Sequence, residues 1–178
     1  MAKLEDSLTS INWTIIKQRY FLLEPLMLSL SLRKYMKDHD IAYKTINHPR
    51  AYTASQCAQG AHIKGESFAK SVIVKLDGKF VLIAIPANVR LDLERLKNET
   101  HAKQVEIAKE FEFQDKFADC EVGALPIFGE LYGMDVYLAD SLAHKEWLVF
   151  NAGNHTQLLK IKCNDFLNLV HPKTLSQC

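Results

Sequence analysis

No charge of one sign dominates this chain. Across 178 residues, 22 Lys and Arg face 21 Asp and Glu, for a net charge of +1. The molecule as a whole therefore has no strong field with which to draw in a polyanion. Paired cysteines are lacking too: Cys57, Cys120, Cys163 and Cys178 form no C-x-x-C and stand far apart. That spacing argues against a disulfide scaffold and predicts small, reduced, partly buried thiols in a cytoplasmic protein. Long apolar runs are missing as well. The most apolar N-terminal piece, residues 20–32, is interrupted by Glu24-Pro25 and is too short to span a bilayer, and no secretory h-region follows Lys3. There is no G-x-S-x-G, no H-E-x-x-H and no paired Cys/His spacing, so neither a serine-hydrolase elbow nor a built-in metal is expected, and the seven histidines are scattered. Internal repeats and low-complexity tracts are absent.

What is present suits one ordinary soluble domain, with 48% hydrophobic and 24% charged residues. Charge is distributed unevenly. Arg50, Lys64, Lys70, Lys75 and Lys79 face only Glu66 and Asp77 between positions 50 and 79, whereas acids outnumber bases between Asp92 and Glu121. A polyanion is expected to meet the first of these segments.

Residues 1–26 read as an extension ahead of a domain spanning 27–178. Ile11, Ile15, Ile16 and Leu23 form an apolar stripe on a short helix that stops before Pro25. Leu28, Leu32, Tyr35 and Met36 share a face of the next helix, and residues 42–47 read as a strand ending at His48-Pro49. Thr53 and Gln56 have capping-box spacing, and Gly60 is the expected stop. The clearest local signal is Asp77-Gly78 between two β-rich runs, 71–76 and 80–85, a two-residue hairpin. A short helix around Leu93 and Leu96, strands at 105–108, 134–138 and 147–150, and a last helix over 165–170 capped by Asn164 complete the reading. Strands and helices mix without strict alternation. The expected fold is α+β, a single domain with a mixed, twisted sheet flanked by helices.

Two tempting motifs fail. Gly60 to Ser67 has the glycine spacing of a phosphate-binding P-loop, but Glu66 stands where lysine is required and would repel phosphate. Ser67 to Lys70 matches S-x-x-K without the Ser-Asp-Asn and Lys-Thr-Gly partners of that chemistry. Two other stretches stand out. Lys70 is the one charge entering an apolar strand, either an edge lysine whose ammonium reaches water or a fixed cation aimed at an anion. The segment Gly123-Ala124-Leu125-Pro126-Ile127-Phe128-Gly129 reads as a rigid loop, either a plain turn or a set of bare N–H groups able to hold a carbonyl oxygen.

The runs 48–54, 68–75, 123–129 and 151–155 occur in one order, and together they resemble the YbaK family, the prolyl-tRNA synthetase-associated editing domain. The resemblance extends over roughly residues 28–172. It implies a YbaK-like fold and an aminoacyl-tRNA deacylase that clears mischarged tRNA with neither metal nor other cofactor. Carried onto this chain, it makes Lys70 and Gly123 the catalytic positions. Ser71, Ala124, Leu125, Pro126, Asn151, Ala152, Gly153 and His155 become substrate-binding residues. Ile127 stands where the most similar members carry a second proline, and His155 falls where only some relatives have histidine; on residues alone it reads as a solvated loop histidine. The implied partner is the aminoacylated 3′ end of a tRNA, with an aminoacyl-tRNA synthetase as a second candidate and neither DNA nor membrane. The alternative is a module of the same fold that binds tRNA or a synthetase without catalysis.

Overall fold

The computed structural model describes residues 28–176; the expected N-terminal helix at 1–26 and Cys178 lie outside them. Helix α1 (Leu30–Asp38) leads to β1 (Tyr43–Asn47), α2 (Ala54–Gly60) and the hairpin of β2 (Phe68–Leu76) and β3 (Lys79–Pro86). Then come α3 (Leu93–Thr100), β4 (Val105–Ile107), α4 (Glu110–Phe113), β5 (Asp135–Ala139) and α5 (Asp140–Ala143). The chain closes with β6 (Trp147–Asn151), β7 (Gln157–Lys162), α6 (Cys163–Val170) and β8 (Lys173–Leu175).

The eight strands make one mixed sheet in the order β1-β7-β6-β2-β3-β5-β8, with β4 pairing β2. Pairings β2/β6, β3/β5 and β5/β8 are parallel and the rest antiparallel. The expected α+β domain with a mixed sheet is the observed one. The Asp77-Gly78 hairpin closes as read, with positive φ at both central residues (49° and 83°). The capping box is also present: Gln56 N–H donates to Thr53 Oγ1 at 3.2 Å and Thr53 N–H to Gln56 Oε1 at 3.3 Å.

β3 is the centre of the core. Leu82, Ile83, Ala84 and Ile85 are fully buried, so truncating one of the large ones to Ala costs about 2–5 kcal/mol. A second, smaller core lies under α2, where Ala51, Cys57, Ala58, Phe68, Ala87, Val149 and Leu158 pack together. It holds α2 and the loop before it on the sheet.

The expected cap Asn164 does not cap the last helix. β7 runs straight into α6, its N-cap is Lys162, and Cys163 N–H is taken by Glu146 O at 3.0 Å. β7 and β8 were not anticipated from the sequence.

One irregularity in the sheet positions the site. β6 pairs β2 only at Phe68 and Ala69, and β4 joins the same edge of β2 only from Val74 onward. Between them, at Lys70 to Ile73, that edge has no neighbouring strand among the described residues. Loops converge on this notch.

Candidate active site

Three loops meet at the notch, tied largely by backbone. Ala51 N–H donates to His155 O (3.1 Å), His48 N–H to Thr156 O (2.9 Å) and Glu121 N–H to Gly153 O (2.8 Å). The Glu121 side chain completes the junction. Its Oε2 accepts from His155 N–H at 3.0 Å, and its carboxylate faces the Arg50 guanidinium at 3.4 Å.

Gly123 lies in a turn closed by Ala124 N–H donating to Glu121 O at 3.0 Å, with Gly123 at the third position and φ +80°. A positive φ there is the mark of a type II turn and explains the glycine. Ala124 N–H is used by the turn and Pro126 has none. Gly123, Leu125, Ile127 and Phe128 N–H have no acceptor among the described residues, and of these four residues Gly123 is the exposed one. Gly123 is exposed, while Ala124, Leu125, Pro126 and Ile127 are buried. Ile127 is fully buried and part of the main core.

Ser71 fixes the loop from below. Its hydroxyl sits 3.1 Å from Leu125 O and 2.9 Å from Pro126 O, donating to this carbonyl pair. Lys70 leaves β2 on the opposite face, as strand alternation requires. It is not an edge lysine reaching water. Its Nζ donates to Val89 O at 2.6 Å and Ala87 O at 3.2 Å, which leaves one N–H of the ammonium for a ligand. Burial, and then the nearby Arg90 charge, hold its pKa below that of an ordinary lysine. Lys70 and the Ser71 hydroxyl that holds the Gly123 loop therefore leave adjacent positions of β2 toward opposite faces.

Asn151, the next position on β6 beside Lys70, is buried, and its Oδ1 has no hydrogen-bond partner among the described residues. Ala152 is buried, and its carbonyl accepts from Ser29 N–H at 3.0 Å. Gly153 is packed so closely that a Cβ would stand 2.7 Å from Ser29 Cβ. His155 is buried, not solvated. Its ring packs against that of Tyr52 at 4.8 Å with the planes tilted by 54°, and its Nε2 is 3.9 Å from Glu121 Oε2. Tyr52 OH in turn accepts from Arg50 Nε at 3.1 Å.

A cavity of about 530 Å³ opens beside this junction, lined by Arg50, Glu121, Gly153, Asn154 and Cys120 among others. Burial pushes the Cys120 thiol up to about 11, so it is protonated at neutral pH and a poor nucleophile. Among the described residues no group of three or more His, Cys, Asp or Glu converges as metal ligands would. No helix among them is long and apolar enough to cross a membrane.

Sequence reading missed three parts of the site. Arg50 and Tyr52 lay inside a quoted run without a role. Glu121 carried no local signal, because its function depends on three distant loops meeting. The Ala87 and Val89 carbonyls that hold Lys70 are backbone, invisible in residue types.

A comparison of sequence with curated proteins found no match. Among solved structures, the chain is similar to the hypothetical protein APE2540, at 15% identity and TM-score 0.72, with 81% of this chain and 96% of that one covered. It is also similar to a protein provisionally described as a trans-editing enzyme for prolyl tRNA synthetase, at 19% identity and TM-score 0.71, covering 84% and 97%. These likenesses establish the shared fold. The aminoacyl-tRNA editing domain matches residues 48–169, which include the Lys70 strand, the Gly123 turn and the His155 loop. Matched over most of its length, the chain belongs to the aminoacyl-tRNA editing domain family.

Proposed function

We propose that this protein is a free-standing, metal-independent aminoacyl-tRNA deacylase. It would hydrolyse the ester of a tRNA mischarged with a small amino acid and act in the cytoplasm in translation quality control. The observation that carries this reading is the Gly123 turn: an exposed positive-φ glycine whose N–H lacks an acceptor among the described residues, on a loop that Ser71 ties to β2 next to Lys70. An aminoacyl ester is already activated, so polarising its carbonyl and positioning it supply most of what hydrolysis needs.

In this mechanism Gly123 and Leu125 N–H groups donate to the carbonyl oxygen and strengthen as it becomes an oxyanion. Lys70, held by two backbone carbonyls, directs its remaining N–H at the terminal ribose or phosphate. Ser71 keeps the loop at the height of β2, while Ala124, Pro126, Asn151, Ala152, Gly153 and His155 shape the pocket. Water adds to the carbonyl carbon, the tetrahedral intermediate collapses, and the ribose hydroxyl leaves with a proton. No side-chain nucleophile is needed. The preference for small amino acids rests on the His155 ring and the Tyr52 carbonyl, which wall the space in front of Gly123 and would meet a longer side chain.

A single-turnover panel of mischarged tRNAs tests the reading. Release of alanine, serine or cysteine, with larger residues spared, is the expected result. Binding without turnover of any charged tRNA would favour the non-catalytic module.

A further inference from the structure

Beyond the far end of α2, the face of β1, β7 and β6 holds a second cavity of about 360 Å³ that the Gly123 site does not use. Trp147, Lys160, Lys145, Lys64 and Val149 are among its lining residues. Register extends the basic character. Lys44 faces Lys160 directly across β1/β7, and Trp147 faces Lys162 across β6/β7, all on the cavity's side of the sheet. Like charges directly opposite one another destabilise a sheet. Lys44, Lys64, Lys160 and Lys162 have no carboxylate within ion-pair distance among the described residues, and Lys145 has Glu66 at 3.8 Å. Glu146 is the acidic residue in the cavity lining itself. On a chain of net charge +1, five lysines so grouped are a local anion-binding field.

The aromatic component gives the field a more specific meaning. Lys160 Nζ lies 4.7 Å from the centre of the Trp147 ring, and the indole is half-buried at the cavity wall. Cations that follow a backbone, beside a flat ring on which a base can stack, are the elements of single-strand recognition. The patch shares a face of β6 with Asn151, with α2 and the small core at Val149 and Leu158 between them. β6 begins at Trp147 and ends at Asn151 beside Lys70, four residues later. That is a separation of roughly 13 Å at about 3.3 Å per residue, so a strand passing around α2 needs more than about four nucleotides at about 3.4 Å each.

We infer that this patch seats the single-stranded RNA leading to the aminoacylated 3′ end. The lysines neutralise its phosphates, and Trp147 stacks on one base. The inference rests on the deacylase reading for the identity of the RNA.

The test is fluorescence anisotropy with an uncharged acceptor-stem hairpin carrying a single-stranded 3′ end, and with the same hairpin made blunt. Lys44→Ala/Lys160→Ala should weaken binding of the tailed hairpin about tenfold and flatten its log K against log salt slope by about 1.4, at about 0.7 per contact. Trp147→Ala should weaken it and Trp147→Phe restore most of the loss, while Lys103→Glu, an exposed change before β4, should have no effect. The blunt hairpin should bind more weakly and respond little to any variant. Unchanged binding by the lysine and Trp147→Ala variants, or equal losses for tailed and blunt hairpins, overturns the inference. Hydrolysis of an aminoacyl-adenosine, too short to reach the patch, is measured alongside. Wild-type failure to hydrolyse any charged substrate overturns the deacylase reading and leaves the anisotropy result to judge the patch.

Discussion

Gly123 faces His155 so closely that a Cβ added to the glycine would stand 3.8 Å from the imidazole Cε1. One methyl group fits there as an ordinary contact, so Gly123→Ala is opposed mainly by the φ of +80°, at about 1–2 kcal/mol. Gly123→Val adds branches toward His155 and the Tyr52 carbonyl, where the ester must lie. Single-turnover deacylation should show a partial loss for Ala and a fall in kcat/KM of about 100-fold or more for Val, as expected when a key oxyanion donor is displaced. Binding of uncharged tRNA should stay nearly constant in both. Full activity in the valine variant would reduce the loop to a plain turn.

Lys70 should set an alkaline limit on activity below the ordinary lysine value of 10.5, because burial and Arg90 lower its pKa. The kcat/KM profile, corrected for spontaneous ester hydrolysis, should fall above that limit. Lys70→Ala should be nearly inactive yet folded. Lys70→Arg should be impaired, since a planar guanidinium cannot reproduce the ammonium's two carbonyl bonds, and it should lose the alkaline limb. Stability has the opposite sign. The unfolded chain binds the proton more tightly, so unfolding free energy rises with pH between the lowered folded pKa and 10.5. Denaturant titrations across that window should show the rise in wild type and not in Lys70→Ala.

Glu121 serves as an acceptor more than as an ion. Glu121→Ala leaves His155 N–H without its partner and should destabilise by about 1–3 kcal/mol, with kcat/KM reduced on the order of tenfold. Glu121→Gln keeps an acceptor and should lose less. Arg50→Ala should barely move the melting temperature, because the Arg50–Glu121 pair is exposed at both ends (53% and 41%).

Cys120 lines the cavity next to the site, and its pKa of about 11 makes thiolate scarce at neutral pH. Cys120→Ser should deacylate at close to the wild-type rate, and alkylation of Cys120 at pH 7, followed by peptide mass mapping, should be slow. Rapid modification blocked by charged tRNA would instead indicate covalent catalysis.

Exhaustive chelation should leave the deacylation rate unchanged. A loss restored by zinc would require ligands that the described residues do not bring together.

Elements fixed by neighbours in sequence were legible. The Asp77-Gly78 turn and the Thr53/Gln56 box each need only four residues to agree, and both formed as read. β7 and β8 were not legible because pairing defines them: Gln157 meets Asn47, 110 positions away. Asn164 misled because its residue type suits a cap, whereas a carbonyl from the start of β6 had already satisfied the helix's first N–H. In the site, the strained glycine and the lone strand lysine were visible from residue types. The notch in the sheet, the buried His155 packed on Tyr52 and the Glu121 junction depend on loops far apart in the chain.

The long-range pairing of β1 with β7 also sets an order in time. The β2–β3 hairpin can close as soon as its two strands exist, whereas β1 waits for a partner more than a hundred residues downstream. His155 and Thr156, which anchor the loop before α2, arrive with that late partner. A growing chain therefore has a core hairpin long before it has the candidate site, which is completed only once β7 has been made.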